Sequence, residues 1–393
     1  MLLVLAFLFL TGCSVTSSSS SIATTTPNGA TEQVPVRLLK PDGAGPFPAV
    51  VIMHDCSGLG PRSSGVPDRW GRELLGQGYV VLIPDSFTTR GHANGVCTDP
   101  SPSRTEVSPP RRVRDAYVAL AYLRSLPYVD GARVGLMGGS HGGSTTLASM
   151  VAQESDNEPV ARYKRGGFAA AVALYPGCAG RLGGWRALRQ TASETMINYF
   201  GVYQPVAPLL ILIGEADDWT PAEPCRKLTE AAQKAGYPVT IKIYPGAHHA
   251  FDGSSPVRYV PTRVNVNSPS GRGATTGGDP KAWADSIREV TAFFARYLKK
   301  TDNFPPTEPA RLEKHGSCPL AWKFFSSVGS RLASNVSLHV LCSKSLCGPP
   351  ASRTVLVTYD FCDSMEANSS QDKTRTWDVG KKPRASDTGY LMC

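Results

Sequence analysis

Between about Gln33 and Lys300 the chain alternates short apolar, β-branched runs with longer stretches of helical apolar spacing, and this alternation constrains the fold more than any other feature. A strand written as an unbroken apolar run must be covered on both faces, and neighbouring parallel strands need a crossover helix between them. The pattern therefore predicts an α/β fold: a doubly wound, mostly parallel sheet with helices on both faces. Strands are expected over Pro48 to His54, Tyr79 to Pro84, Arg133 to Gly138, Phe168 to Tyr175, Ala207 to Gly214 and Val239 to Tyr244. Helices are expected over Asp68 to Leu75, Arg111 to Ser125, His141 to Val151, Pro221 to Ala235 and Lys281 to Leu298. The segment from Asp252 to Asp279 is rich in Gly, Ser, Pro and Thr with little periodicity, and reads as a long surface loop.

The 393 residues exceed what one such domain requires, so a domain over residues 33–300 with extensions at both ends is expected. Met1 to Leu10 is an apolar run too short to span a bilayer and reads as the core of a signal peptide over residues 1–13. Leu10-Thr11-Gly12-Cys13 resembles a bacterial lipobox. That resemblance implies lipidation at Cys13, a flexible Ser/Thr-rich tether over residues 14–32, and an exported protein of the bacterial cell envelope held at a membrane surface. A plain cleaved signal is the alternative. Residues 301–393 change character, with a Pro-rich start and five scattered cysteines, and they take no fold assignment: a small disulfide-rich appendage, a partly disordered tail and unselected sequence remain open.

Although the formal net charge is +9, Lys and Arg are spread along the chain without a long basic run, which argues against nucleic acid as a partner. Ten cysteines suit an exported protein; Cys56, Cys97, Cys178 and Cys225 allow two bridges within the domain, with their pairing left open. No cysteine and histidine spacing suggests a metal site, and no cofactor is expected.

Gly138-Gly139-Ser140-His141-Gly142 matches the G-x-S-x-G elbow, a sharp strand-to-helix turn that presents a serine side chain. The match gains weight from its setting, since an expected strand precedes it and an expected helix follows. A serine hydroxyl becomes a nucleophile when a base removes its proton and a carboxylate orients that base, and in this fold the partners follow in the order acid, then histidine. Leu209 to Gly214 carries Asp217 and Asp218 at its carboxyl end, either of which suits the acid, and Tyr244-Pro-Gly-Ala-His248-His249 supplies the base.

Taken together, His54-Asp55-Cys56-Ser-Gly-Leu, Pro84-Asp-Ser-Phe-Thr-Thr-Arg90-Gly, the elbow, the Gly214 to Pro221 segment and Gly246-Ala-His-His249-Ala-Phe resemble the dienelactone hydrolase family of α/β hydrolases, over roughly Pro48 to Leu298. The family's Gly-x-x-Asp-x-x-x-Pro pattern selects Asp217, and its Gly-Ala-x-His-x-Phe pattern selects His249. The resemblance further implies oxyanion donors at the backbone N–H groups of Cys56 and His141, and places Arg90 and Asp55 where substrate is bound. Two departures broaden the implied substrate from dienelactone to carboxylic esters and lactones. The best-known members have cysteine where Ser140 stands, and their arginine shortly after the histidine has no counterpart in Phe251-Asp-Gly-Ser-Ser. The expectation is a serine hydrolase with the triad Ser140, Asp217 and His249 working through an acyl-enzyme. A surface lipoprotein that binds a ligand on a hydrolase scaffold without turnover is the competing reading.

Overall fold

A computed structural model describes residues 18–26, 29–151, 167–189 and 197–299, together with two short strands in the C-terminal segment. The signal segment with Cys13, and most of the tail, lie outside the described residues. Contacts divide the chain into one unit ending at Asn303 and a second from Phe304 to Cys393. Within the second, β14 (Thr354–Val355) pairs antiparallel with β15 (Trp377–Asp378).

The first unit is built on an eight-stranded sheet in the order β1-β2-β4-β3-β5-β6-β10-β11. The parallel strands are β3 (Phe47–Met53), β4 (Val80–Pro84), β5 (Val129–Gly139), β6 (Ala170–Leu174), β10 (Leu209–Gly214) and β11 (Val239–Tyr244). All six correspond to the expected apolar runs. Their central members are buried from end to end, as Val80–Pro84, Ala170–Leu174 and Leu209–Gly214 show, because helices cover both faces. Those helices are α1 (Val66–Gly76), α2 (Pro109–Ser125), α3 (His141–Met150), α4 (Ala222–Lys234) and α5 (Pro280–Leu298), again at the expected places. Asp279 caps α5 by accepting from the backbone N–H groups of Lys281 and Ala282. The comparatively polar α4 buries a stripe of Cys225, Leu228 and Ala232 against the sheet.

Two expectations need correction. Part of the expected tether is a strand: β1 (Ser18–Thr25) pairs antiparallel with β2 (Thr31–Leu39), and β2 pairs antiparallel with β4. Serine and threonine tolerate an edge strand when their backbone has a ladder to join, and Ile22 and Thr24 turn inward. Arg114 of α2 donates to the Thr25 carbonyl and ties the strand's end to the helix layer. β2 also escaped the strand expectations, although Val34, Val36 and Leu38 alternate inward with period two. The expected loop from Asp252 to Asp279 instead contains a hairpin of β12 (Arg258–Val264) and β13 (Arg272–Thr276), and its register is pinned by backbone pairing rather than by apolar alternation. A smaller meander of β7 (Arg181–Leu182), β8 (Trp185–Arg189) and β9 (Ile197–Phe200) follows β6.

The four domain cysteines pair as Cys56–Cys97 and Cys178–Cys225, spanning 41 and 47 residues. Closing loops of that length removes chain entropy from the unfolded state worth about 4 kcal/mol per bridge in the loop-closure account. The first bridge fixes the segment after β3; the second fixes the segment after β6 to α4. Both therefore act at the carboxyl edge of the sheet.

Candidate active site

Ser140 stands between the end of β5 and the first residue of α3 at φ 54° and ψ −115°, a conformation that a residue with a side chain rarely holds. Its N–H donates to the Leu174 carbonyl at 2.9 Å, which anchors the turn to β6. The turn closes because its neighbours lack side chains: a Cβ on Gly142 would lie 1.9 Å from the Met53 carbonyl oxygen, and one on Gly138 would lie 2.4 Å from that of Gly142. The elbow thus sits directly against the end of β3.

His249 follows β11, reaches back toward this turn, and is 1% exposed. Its Nε2 is 2.8 Å from Ser140 Oγ and its Nδ1 is 2.8 Å from Asp217 Oδ2. With Nδ1–H donating to the carboxylate, Nε2 is left as an acceptor for the serine proton. Asp217 is itself held by its other oxygen, which accepts the backbone N–H groups of Trp219 and Thr220 at 2.9 and 2.8 Å. Thr220 Oγ1 lies 2.9 Å from Asp217 Oδ2 and 3.0 Å from the Tyr175 carbonyl. The three distant sequence motifs therefore meet in one hydrogen-bonded line. Asp218, the alternative acid, is exposed and faces away, accepting the N–H and hydroxyl of Thr275 on β13 at 2.8 Å each. His248 also points elsewhere, with Nδ1 3.0 Å from the Ala216 carbonyl.

Tyr175 and Trp219 wall the imidazole, with ring centroids 4.7 and 4.8 Å from it. Tyr175 is braced from behind. Its hydroxyl donates to Asp252 Oδ1 at 2.7 Å, while Trp70 Nε1 donates to Asp252 Oδ2 at 2.8 Å. Burial, reinforced by the Asp252 charge, pushes the Tyr175 phenol well above its ordinary range, so it acts as a neutral donor. Burial also raises the Asp252 carboxyl, and the two hydrogen bonds oppose that rise. None of these supports stood out in the sequence, because Trp70, Tyr175 and Asp252 read individually as core or loop residues.

The proposed oxyanion donors flank the nucleophile: His141 is the first residue of α3, and Cys56 lies in the segment that continues β3, against which the elbow packs. Among the described residues, neither backbone N–H has an acceptor within the chain. Cys56 Sγ is spent in its disulfide. Although Asp55, Cys56 and Cys97 converge closely enough to suggest a cation site, a disulfide offers no thiolate ligand.

Arg90 and Asp55 depart from the expectation of substrate binding. All five N–H donors of Arg90 are occupied: Nε by Glu32, the two terminal nitrogens by Glu32, Asp115 and the Ser86 carbonyl, at 2.7–3.0 Å. Its side chain is 5% exposed, so it locks β2 to α2 and has no donor left for a substrate. Asp55 is engaged within its own loop: Oδ1 accepts Ser57 N–H and Oγ–H at 2.7 and 2.5 Å, and Oδ2 accepts the Ser64 hydroxyl at 2.5 Å. It shapes the loop that carries Cys56.

A cation that does stand near the site is Arg263, on β12 of the hairpin. Its guanidinium lies 5.0 Å from the centroid of Trp219, the ring that walls His249. Among the described residues it has no ion pair, and its buried Nε has no hydrogen-bond partner. Burial lowers its pKa, which the Asp55 charge opposes. An isolated arginine in a loop without periodicity gave no signal of this position.

Comparison with known proteins agrees with the fold. The dienelactone hydrolase family model matches residues 34–298, more than half of the chain. A Methylorubrum extorquens protein assigned by name as a carboxymethylenebutenolidase is 27% identical over 225 residues, covering 56% of this chain and 68% of the relative. The butyrate-bound esterase Est2 of Thermogutta terrifontis superposes with a TM-score of 0.50 at 16% identity, covering 73% of this chain and 96% of the esterase. A Klebsiella pneumoniae structure assigned as a dienelactone hydrolase gives 0.48 at 20% identity, covering 72% and 100% of the two chains.

Replacing Arg90 with Leu strands Glu32 and Asp115, and should cost about 3–5 kcal/mol of stability by denaturant titration. The folded fraction should keep its kcat/KM on neutral esters. A large fall in kcat/KM with unchanged stability would return Arg90 to the substrate site.

Proposed function

Since the chain belongs to the dienelactone hydrolase family and is an ester-acting hydrolase, we propose that it cleaves a carboxylic ester or lactone through a covalent acyl-serine at Ser140. The observation that carries this reading is the continuous line from Ser140 Oγ through His249 to Asp217, with 2.8 Å at each step. Ser140 Oγ attacks the carbonyl carbon while His249 Nε2 takes its proton, and Asp217 stabilises the imidazolium that results. The carbonyl oxygen becomes an oxyanion that accepts from Cys56 N–H and His141 N–H, each such donor being worth about 3 kcal/mol at this stage. His249 then returns the proton to the alcohol oxygen as the C–O bond breaks. In a lactone that alcohol stays attached to the acyl group. Water, deprotonated by the same imidazole, releases the acid and restores Ser140.

Ser140→Ala is expected to abolish turnover of p-nitrophenyl acetate and labelling by a fluorophosphonate. Asp217→Asn should lower kcat about 10⁴-fold by leaving the imidazole in the wrong tautomer, whereas Asp218→Asn should retain most of the rate. Wild-type rates in Ser140→Ala would refute the reading.

The name of the Methylorubrum relative points to a lactone that carries a carboxylate. In this chain we place the recognition of such an anion at Arg263, whose guanidinium lies beside Trp219 and among the described residues has no ion pair. Losing a charge-assisted hydrogen bond of about 1.5–3 kcal/mol in Arg263→Leu should reduce kcat/KM for a carboxylate-bearing ester about 10- to 100-fold. The loss on a neutral ester of the same leaving group should be much smaller. Equal losses on both would remove charge recognition from Arg263.

We further propose that Cys13 is lipid-modified and holds an exported enzyme at the bacterial envelope membrane. Among the described residues no helix is long and apolar enough to cross a membrane. Cys13→Ala should move the protein from the membrane to the soluble fraction; unchanged sedimentation with membranes would overturn the assignment.

A further inference from the structure

Arg112 of α2 is fully buried, yet among the described residues it pairs with no carboxylate. The acids around it are engaged elsewhere: Asp115 with Arg90, Asp55 with Ser57 and Ser64, and Asp85 with the N–H groups of Phe87 and Thr88 and the Thr88 hydroxyl. A buried guanidinium without a counter-ion is costly, and burial accordingly brings its pKa down to about 9. Its polar anchorage consists of two contacts: one terminal nitrogen donates to the His54 carbonyl at 2.8 Å, and the other lies 2.7 Å from His141 Nδ1. Its Cζ lies over the Phe87 ring, 5.0 Å from the centroid, and among the described residues its Nε has no partner.

These two contacts fall on the two segments that supply the oxyanion donors. His141 carries one donor on its own backbone. On the other side, the imidazole of His54 is oriented at both nitrogens: Ser86 N–H lies 3.2 Å from Nε2, and Nδ1 lies 2.8 Å from the Asp55 carbonyl. Burial foremost, then the Arg112 charge, holds His54 well below its ordinary pKa, so the ring is neutral with Nδ1–H as its donor. The Asp55 carbonyl and the Cys56 N–H belong to one peptide group. A donor fixed on that carbonyl fixes the direction of the N–H and polarises it. The same causes, burial and then Arg112, keep His141 neutral, leaving Nδ1 to accept from the guanidinium.

Resting on the acyl-serine reading above, we propose that Arg112 and His54 are the positioning residues of the oxyanion hole. Arg112 bridges its two halves from below, and His54 aims the Cys56 N–H. Among the described residues no carboxylate contacts the guanidinium directly, although Asp115, Asp55 and Asp85 act on it from further off; the oxyanion would add a negative charge beside the two groups that it holds. Preorganised charge of this kind acts on the transition state rather than on substrate binding.

The test compares an oxoester with its thionoester, whose sulfur accepts hydrogen bonds poorly, so that disruption of the oxyanion hole lowers the rate ratio between them. Arg112→Met, matched in length and checked for folding by circular dichroism and thermal melting, should lower kcat on the oxoester about 10²-fold with KM changed less than about threefold. The thionoester rate should fall far less, collapsing the ratio. Arg112→Lys, which keeps the charge but not the two-pronged reach, should fall between. If Arg112→Met does not accumulate as folded protein, His141→Ala removes the guanidinium's acceptor at the edge of the site and should shift the ratio in the same direction. Near wild-type kcat in folded Arg112→Met, or equal losses on both esters, overturns the proposal. Should Arg112→Met not fold, an unchanged ratio in His141→Ala does so. Fluorophosphonate labelling and turnover by wild-type protein separate this result from failure of the acyl-serine reading itself.

Discussion

Everything at the site depends on the sharp turn at Ser140. The left-handed φ lifts its hydroxyl off the end of β5, and the turn exists only because Gly142 and Gly138 let the chain come within contact distance of β3 and of itself. That approach has two consequences. It starts α3 at His141, and it brings the nucleophile beside the segment that continues β3 through His54, Asp55 and Cys56. The parallel sheet supplies the rest, because β10 and β11 deliver Asp217 and His249 at the same carboxyl edge.

A second theme is the allocation of charge around that edge. Two arginines of neighbouring segments are both buried, yet they have opposite surroundings. Arg90 has every donor matched and two carboxylates beside it, which is the signature of a structural lock. Arg112 holds a carbonyl and a neutral imidazole, and among the described residues no carboxylate is hydrogen-bonded to it. The difference separates a residue that joins elements from one poised beneath a developing charge. Arg263, lying over Trp219 with no ion pair among the described residues, is the third arrangement.

The central sheet was legible because β4, β6 and β10 are unbroken apolar runs, and such runs have no other stable location than the middle of a covered sheet. Ser140, Asp217 and His249 were legible because each sits in a short pattern dictated by backbone geometry, and Asp218 and His248 are excluded by where their side chains point. Elements whose stability comes from pairing were not legible. β1 is a run of serines and threonines that becomes a strand only through β2, and the hairpin of β12 and β13 carries no apolar alternation. Arg90 misled for a related reason: the motif around it says nothing of Glu32, which the unrecognised β2 brings to it. The supports of the site, Asp252 and Arg112, depend on contacts between residues far apart in the chain and left no local signature, and the motif that opens at His54 gave that residue no role.

The most direct test of the account is to quench the enzyme during turnover of a slowly deacylated ester and map the protein by peptide mass spectrometry. The account predicts the mass of the acyl group on the peptide containing Ser140, accumulating in a burst of one equivalent and decaying as the acid is released. Rapid ester hydrolysis with no acylated peptide, or with the acyl group on another residue, would contradict it.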